Sequence, residues 1–101
     1  LVNLLHLVSE SEVQTIISGI SQSLVQGGRC VIYGPFMRGG TLSSSGDKAF
    51  HQSLIEADPD IGYKDDAWMF DLFQQQKLET VKIVEMPANN LTFVIVRGNT
   101  K

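Results

Sequence analysis

Cysteine is nearly absent from this sequence. Cys30 stands alone, so no disulfide can form within the chain, and a reduced, cytoplasmic setting is the expectation. No apolar run approaches the roughly 20 residues that span a bilayer, which leaves no candidate membrane-spanning helix. Positive charge is short as well. Eight Lys and Arg against eleven Asp and Glu give a formal charge of -3 and a pI near 5.2. The basic footprint of a nucleic-acid-binding protein is therefore missing, and nothing electrostatic favours a membrane surface. Leu1 to Val8 is apolar but has neither a basic leader nor a small-residue cleavage site, so it does not read as a signal peptide. Soft metal ligands are scarce: His6, Cys30 and His51 are separated by 24 and 21 residues, which matches no metal-site spacing. No serine sits in a Gly-x-Ser-x-Gly elbow, the turn that presents a hydrolase nucleophile.

What is present is the composition of one small globular domain, with 43% hydrophobic and 19% charged residues in 101 and a mean hydropathy of +0.02. The chain starts at Leu1 without an initiator Met, inside an apolar segment, and reads as a piece of a longer protein.

Ser9 and Glu12 have capping-box spacing, so a helix should start there. Val13, Ile16, Ile17, Ile20 and Leu24 give it one apolar stripe, and Gly27-Gly28 is the expected left-handed cap. Arg29 to Gly34 is a short apolar run bounded by glycine, as in a strand covered on both faces of a parallel sheet. With Leu1 to Leu5 as the end of a preceding strand, strand, helix and strand make a right-handed crossover. Met37 to Gly46 is a Gly- and Ser-rich stretch too poor in apolar residues to pack, hence a surface loop. Asp47 to Ala57 and Asp65 or Asp66 to Gln76 read as helices, with Trp68, Met69, Phe70 and Phe73 as core. Leu78 to Met86 mixes apolar and charged residues like an edge strand. Leu91 to Val96 is apolar and β-rich, so it should lie inside the sheet. Pro87-Ala88-Asn89-Asn90 between them is a compact turn whose asparagines tolerate positive φ, giving an antiparallel hairpin.

Two motifs fail on their chemistry. Gly34 to Thr41 matches a phosphate-binding loop at its glycines and Thr, but Gly40 replaces the lysine that engages the phosphates. Asn90-Leu91-Thr92 spells a glycosylation acceptor without a secretory leader, and reads as chance.

The order of elements resembles the C-terminal half of a class I S-adenosylmethionine-dependent methyltransferase, in which the last strand inserts antiparallel into the sheet. Within that class the wording is similar to a methyltransferase-like family long carried as a domain of unknown function. The matching residues are Asn3-Leu4-Leu5-His6, Gly27-Gly28, Tyr33-Gly34-Pro35-Phe36 and Met86-Pro87-Ala88-Asn89-Asn90. The resemblance implies an α/β fold: part of a doubly wound, Rossmann-like sheet in strand order 4-5-7-6 with an antiparallel C-terminal hairpin.

It also implies S-adenosyl-L-methionine as the cofactor of the full-length family. The glycine-rich turn and the acidic ribose-binding residue of a complete member would lie ahead of Leu1, so no cofactor is expected on this chain alone. Asn3 falls where the class places a group near the methionine end of the cofactor, and His6 where a proton acceptor could stand. Tyr33, Phe36, Asn89 and Asn90 fall on the substrate side. No metal, nucleic acid or membrane is implied, and the acceptor is a small molecule or a substrate of another, unread kind. The rival reading is a stand-alone, non-enzymatic α+β interaction or scaffold domain. A sheet open at Leu1 should self-associate, so a homodimer burying Leu1 to Leu7 and the Val13 to Leu24 helix is expected.

Overall fold

The computed structural model describes residues 1–86 and 89–98. A 3-10 turn, Leu5–Leu7, is followed by α1 (Glu10–Ser23), β1 (Arg29–Pro35), α2 (Ser45–Ala57), α3 (Asp66–Gln75), β2 (Leu78–Glu85) and β3 (Asn90–Arg97). The chain thus mixes helices with a small sheet of order β1-β3-β2, and both pairings are antiparallel. No helix among the described residues is long and apolar enough to cross a membrane.

The last strand takes the central place, as its run of β-branched and apolar residues predicts. Phe93 stands opposite Ile32 of β1 and Ile83 of β2. Alternation then divides its side chains. Leu91, Phe93 and Ile95 are buried, whereas Thr92, Val94 and Val96 on the other face are only half-buried. On the free edge of β1 the first residues run parallel to it. Tyr33 N donates to Leu1 O at 2.9 Å and Asn3 N to Tyr33 O at 2.8 Å. Coverage of β1 on both faces is not found: Ile32 is buried, but its neighbour Val31 is 50% exposed. One face of the sheet packs on helices and the other is open.

The capping box at α1 is complete. Glu12 N donates to Ser9 Oγ at 3.1 Å and Ser9 N to Glu12 Oε1 at 3.0 Å. Val13 and Ile17 then enter the core. The helix ends at Ser23, with Leu24 turned extended as its cap. Gly27, at φ +80°, therefore does not cap the helix. It shapes the turn into β1, where its N–H donates to Arg97 O at 2.9 Å.

In α3, Met69, Leu72 and Phe73 form the buried stripe at spacings of three and four. Trp68 packs partly buried against the core, but Phe70 falls off the stripe and is exposed, which corrects its assignment to the interior. β2 is the second edge. A bulge between Thr80 and Lys82 and the charges of Glu79, Lys82 and Glu85 keep that edge from pairing further. Phe93 sits at the centre of the core, edge-on to Phe36 and Phe73 with centroids 5.0 and 5.4 Å away.

The glycine- and serine-rich stretch is not free. Leu42 is buried, Gly39 N and Gly40 N donate to the carboxylates of Asp66 and Asp65, and Arg38 donates to Asn90 O at 2.8 Å. Arg38 also pairs with Glu85 at 3.4 Å. The expected turn at Pro87 and Ala88 lies outside the described residues. Of its asparagines, Asn89 is buried and Asn90 opens β3. Neither is left-handed; among the described residues the asparagine that takes positive φ is Asn3, at 51°.

Candidate functional site

His6 stands on the 3-10 turn that follows the short parallel segment, so the sheet edge fixes its backbone. The residue is 8% exposed. The ring lies edge-on to Tyr63 and Phe50, with centroid separations of 5.4 and 5.9 Å, and Phe50 and Tyr63 themselves meet at 6.3 Å. Its Nδ1 is buried with no hydrogen-bond partner among the described residues. A buried unpaired ring nitrogen is costly, so its retention calls for a specific reason.

Beside this ring lies a polar network. Tyr63 OH donates to Asp47 Oδ1 at 2.5 Å, and Asn89 Nδ2 donates to Asp47 Oδ2 at 3.0 Å. Asn89 Oδ1 in turn accepts from Ser43 N at 3.0 Å and Ser43 Oγ at 3.1 Å. The network thus ties the start of α2, the loop before it and the approach to β3. Tyr63 N donates to His51 Nδ1 at 3.0 Å. Lys64, 5% exposed, buries its ammonium against the carbonyls of Val8 and Gly62.

The electrostatics follow from burial. Desolvation and the nearby Lys64 ammonium hold the His6 pKa below its ordinary value, against a smaller upward pull from Asp47. His6 is therefore neutral near pH 7, the form with a free lone pair. His51 is lowered by burial and by Lys64, and Lys64 is itself lowered by burial. Burial alone would raise the Asp47 carboxyl, but hydrogen bonds led by those from Tyr63 and Asn89 outweigh it and hold the group below the usual carboxylate range. Burial and the Asp47 carboxylate push the Tyr63 hydroxyl far up, so it remains a donor.

The residues singled out from sequence are brought together unevenly. Asn89 and His6 sit at opposite ends of one chain of contacts through Asp47 and Tyr63. Asn3 is exposed at the sheet edge beside Gly34, where a Cβ would lie 3.6 Å from Asn3 Cα. Tyr33 is half-buried on β1, on the open side of the sheet that also bears Val31. Phe36 turns into the core, 1% exposed, while its N–H donates to Asn89 O at 2.9 Å. Asn90 contributes a carbonyl to Arg38. Asp47, Tyr63 and Lys64 are absent from the sequence-based assignment, in which His51 figures only as an isolated soft ligand. Asp47 reads there as a helix start, and Tyr63-Lys64 precedes a helix without any motif. The only signal was two unusual residues, an aromatic and a cation, between Gly62 and two capping aspartates. Among the described residues no cluster of three His, Cys, Asp or Glu side chains could hold a metal ion.

The fold is that of the C-terminal part of known O-methyltransferases. An O-methyltransferase family protein from Burkholderia thailandensis superposes with a TM-score of 0.80 at 13% identity, covering 100% of this chain and 30% of that one. The O-methyltransferase family 2 protein of Planctomyces limnophilus in complex with apigenin gives 0.81 at 13% identity, covering 96% and 29%. Human N-acetylserotonin methyltransferase in complex with SAM gives 0.82 at 8% identity, covering 97% and 28%. The chain thus spans less than a third of the length of each of these proteins. Residues 1–97 match the family described as a protein of unknown function, DUF938, and the chain belongs to that family.

Proposed function

We propose that this chain is the C-terminal part of an S-adenosylmethionine-dependent O-methyltransferase and that His6 accepts the proton of the acceptor hydroxyl. In this reading residues 1–3, β1, β3 and β2 are the fourth, fifth, seventh and sixth strands of a larger doubly wound sheet. The parallel bridge between Val2 and Tyr33 supports that order. The observation that carries the function is the unpaired Nδ1 of a buried His6, kept neutral by burial and by Lys64, just past the end of that parallel segment. Ligands of open α/β sheets bind outside the carboxyl ends of parallel strands.

The cofactor supplies, when bound, an electrophilic methyl group on a sulfonium. The protein then has to position the acceptor and take up its proton. The His6 imidazole would take up the proton that the acceptor hydroxyl gives up on methylation. Asn3 fits the polar, methionine end of the cofactor, because its amide is exposed and Gly34 beside it leaves the adjacent space free of a side chain. Tyr33 and the region of Asn89 and Asn90 form the acceptor side, with Phe36 bracing it from the core. Asn3 and Tyr33 account for only a small part of such a cofactor's surface, so the 101-residue chain by itself should bind it weakly.

Calorimetry with S-adenosylhomocysteine tests this division. The reading expects saturable binding by the full-length protein and none in the micromolar range, about -8 kcal/mol, by the 101-residue chain. Micromolar binding by the chain alone contradicts it.

The rival, a self-associating non-enzymatic domain, is supported by one observation: Leu1, Val2, Leu4, Leu7 and Val31, in the N-terminal segment, the adjoining turn and the neighbouring strand, are all exposed by a third or more. Val13 and Ile17 of α1 are already spent on this chain's own core, so a dimer would use the N-terminal segment more than the helix. Sedimentation at low micromolar concentration distinguishes a dimer from a monomer.

A further inference from the structure

No hydrogen bond orients the His6 ring among the described residues, so its position rests on what packs against it. Two rings do so, Phe50 from α2 and Tyr63 from the segment before α3, and the three meet edge to face. Of those neighbours only Tyr63 is anchored at both ends. Its N–H is held by His51 Nδ1, and its hydroxyl by Asp47 Oδ1. The residue before it, Gly62, donates to His6 O at 3.1 Å, which ties the same segment to the backbone of the histidine.

Asp47 is in turn fixed from the other side by Asn89, which Ser43 holds. Helix α2 buries no residue fully. Its seating therefore depends less on a hydrophobic core than on the Asp47, Phe50 and His51 contacts along one of its faces. Loss of the Tyr63–Asp47 bond would free the outer end of the Tyr63 ring, and the imidazole would lose the fixed pose of one of its two ring neighbours.

We propose that Asp47, acting through Tyr63, is the positioning residue that holds the His6 imidazole for proton transfer; this rests on the reading of His6 as the proton acceptor. Two charged groups act directly on His6, the Lys64 ammonium and the Asp47 carboxylate. Glu10 and Glu12 of α1 act on Lys64, and His51 shares the Lys64 field. The Asp47 carboxylate is the one of these that both shapes the ring cage and offsets the Lys64 charge.

The test is the titration of His6 by its imidazole carbon and proton resonances in the 101-residue chain. It compares wild type with Asp47→Asn and Tyr63→Phe. Asp47→Asn keeps an acceptor for the hydroxyl but removes the charge, so the His6 midpoint should fall. Tyr63→Phe keeps the ring and the charge but frees the ring's outer end, so the ring-current shifts of His6 should move with little change in midpoint. Native resonances elsewhere establish folding, and if Asp47→Asn does not fold, Tyr63→Phe alone decides.

Unchanged His6 shifts in a folded Tyr63→Phe chain overturn the proposal, as does an unchanged His6 midpoint in folded Asp47→Asn. Methyl transfer by full-length protein separates this from the reading it rests on. Full activity in His6→Gln defeats the proton-acceptor reading while leaving the resonance results intact. With that reading sound, Tyr63→Phe should lower kcat by about tenfold to a hundredfold at nearly constant KM. An unaltered kcat overturns the positioning role.

Discussion

Asn3 and Tyr33 are joined in parallel, the N–H of Asn3 donating to Tyr33 O at 2.8 Å, although both pairings within the three-stranded sheet are antiparallel. That single relationship places the 3-10 turn bearing His6 just beyond the end of a parallel segment. It also defines the positive φ of Asn3 as a working feature, since an asparagine accepts the left-handed conformation at small cost. Replacement of Asn3 by Val should destabilise the chain by about 1 to 3 kcal/mol through backbone strain. Replacement by Gly should leave stability nearly unchanged. Urea midpoints of the two variants check this, and equal midpoints would show that the left-handed turn is not needed.

The central strand sorts its side chains by face, and the cost of truncation should follow. Ile95 is fully buried and Val94 only half-buried, so Ile95→Ala should cost about 2 to 5 kcal/mol and Val94→Ala about 1 kcal/mol or less. Denaturant midpoints measured in parallel would reveal the asymmetry. Equal losses would mean that the open face is covered.

Lys64 gives a prediction of two parts. Its ammonium donates to the carbonyls of Val8 and Gly62, at 2.7 Å for the latter, with no carboxylate partner within ion-pair distance among the described residues. Lys64→Met leaves those buried carbonyls unpaired and should cost about 1 to 3 kcal/mol. It also removes a cation that lowers His6, so the His6 midpoint should rise. Midpoints from resonance titration and from urea report the two effects separately.

Stability should depend on pH in a window set by the histidines. The folded-state pKa values of His6 and His51 lie below the ordinary value, so in the interval between the two values the unfolded chain binds more protons. Their contribution is complete above about pH 6.5 and is lost as pH falls through the ordinary value to the folded one. Asp47, also lowered, adds a second loss below about pH 4. Urea unfolding from pH 7.5 to 5 should show falling stability, and His6→Phe should flatten the slope. A slope of unchanged size in that variant would assign it to His51.

Much of the fold was legible because local rules and tertiary packing agree in it. The capping box at Ser9, the stripe through Val13 and Ile17, and the apolar run from Leu91 to Val96 each specify an element whose burial satisfies it. Phe70 was misplaced because two overlapping stripes fit α3, and only contact with the sheet selects Met69, Leu72 and Phe73. The Met37 to Gly46 stretch looked loose because its ties, from Asp65, Asp66 and Asn89, come from far along the chain. The site divides the same way. His6, Asn3 and Asn89 are named by the family resemblance, whereas Asp47, Tyr63 and Lys64 act through contacts as many as 56 residues apart that no local spacing encodes.

In the proposed reading His6 serves as proton acceptor in a methyl transfer. The most direct measurement is the rate at which the full-length protein moves a labelled methyl group from S-adenosylmethionine to a hydroxyl acceptor, in wild type and in His6→Gln. The account predicts a loss of about 10² to 10⁴ in kcat for His6→Gln. An undiminished rate in the variant would contradict it.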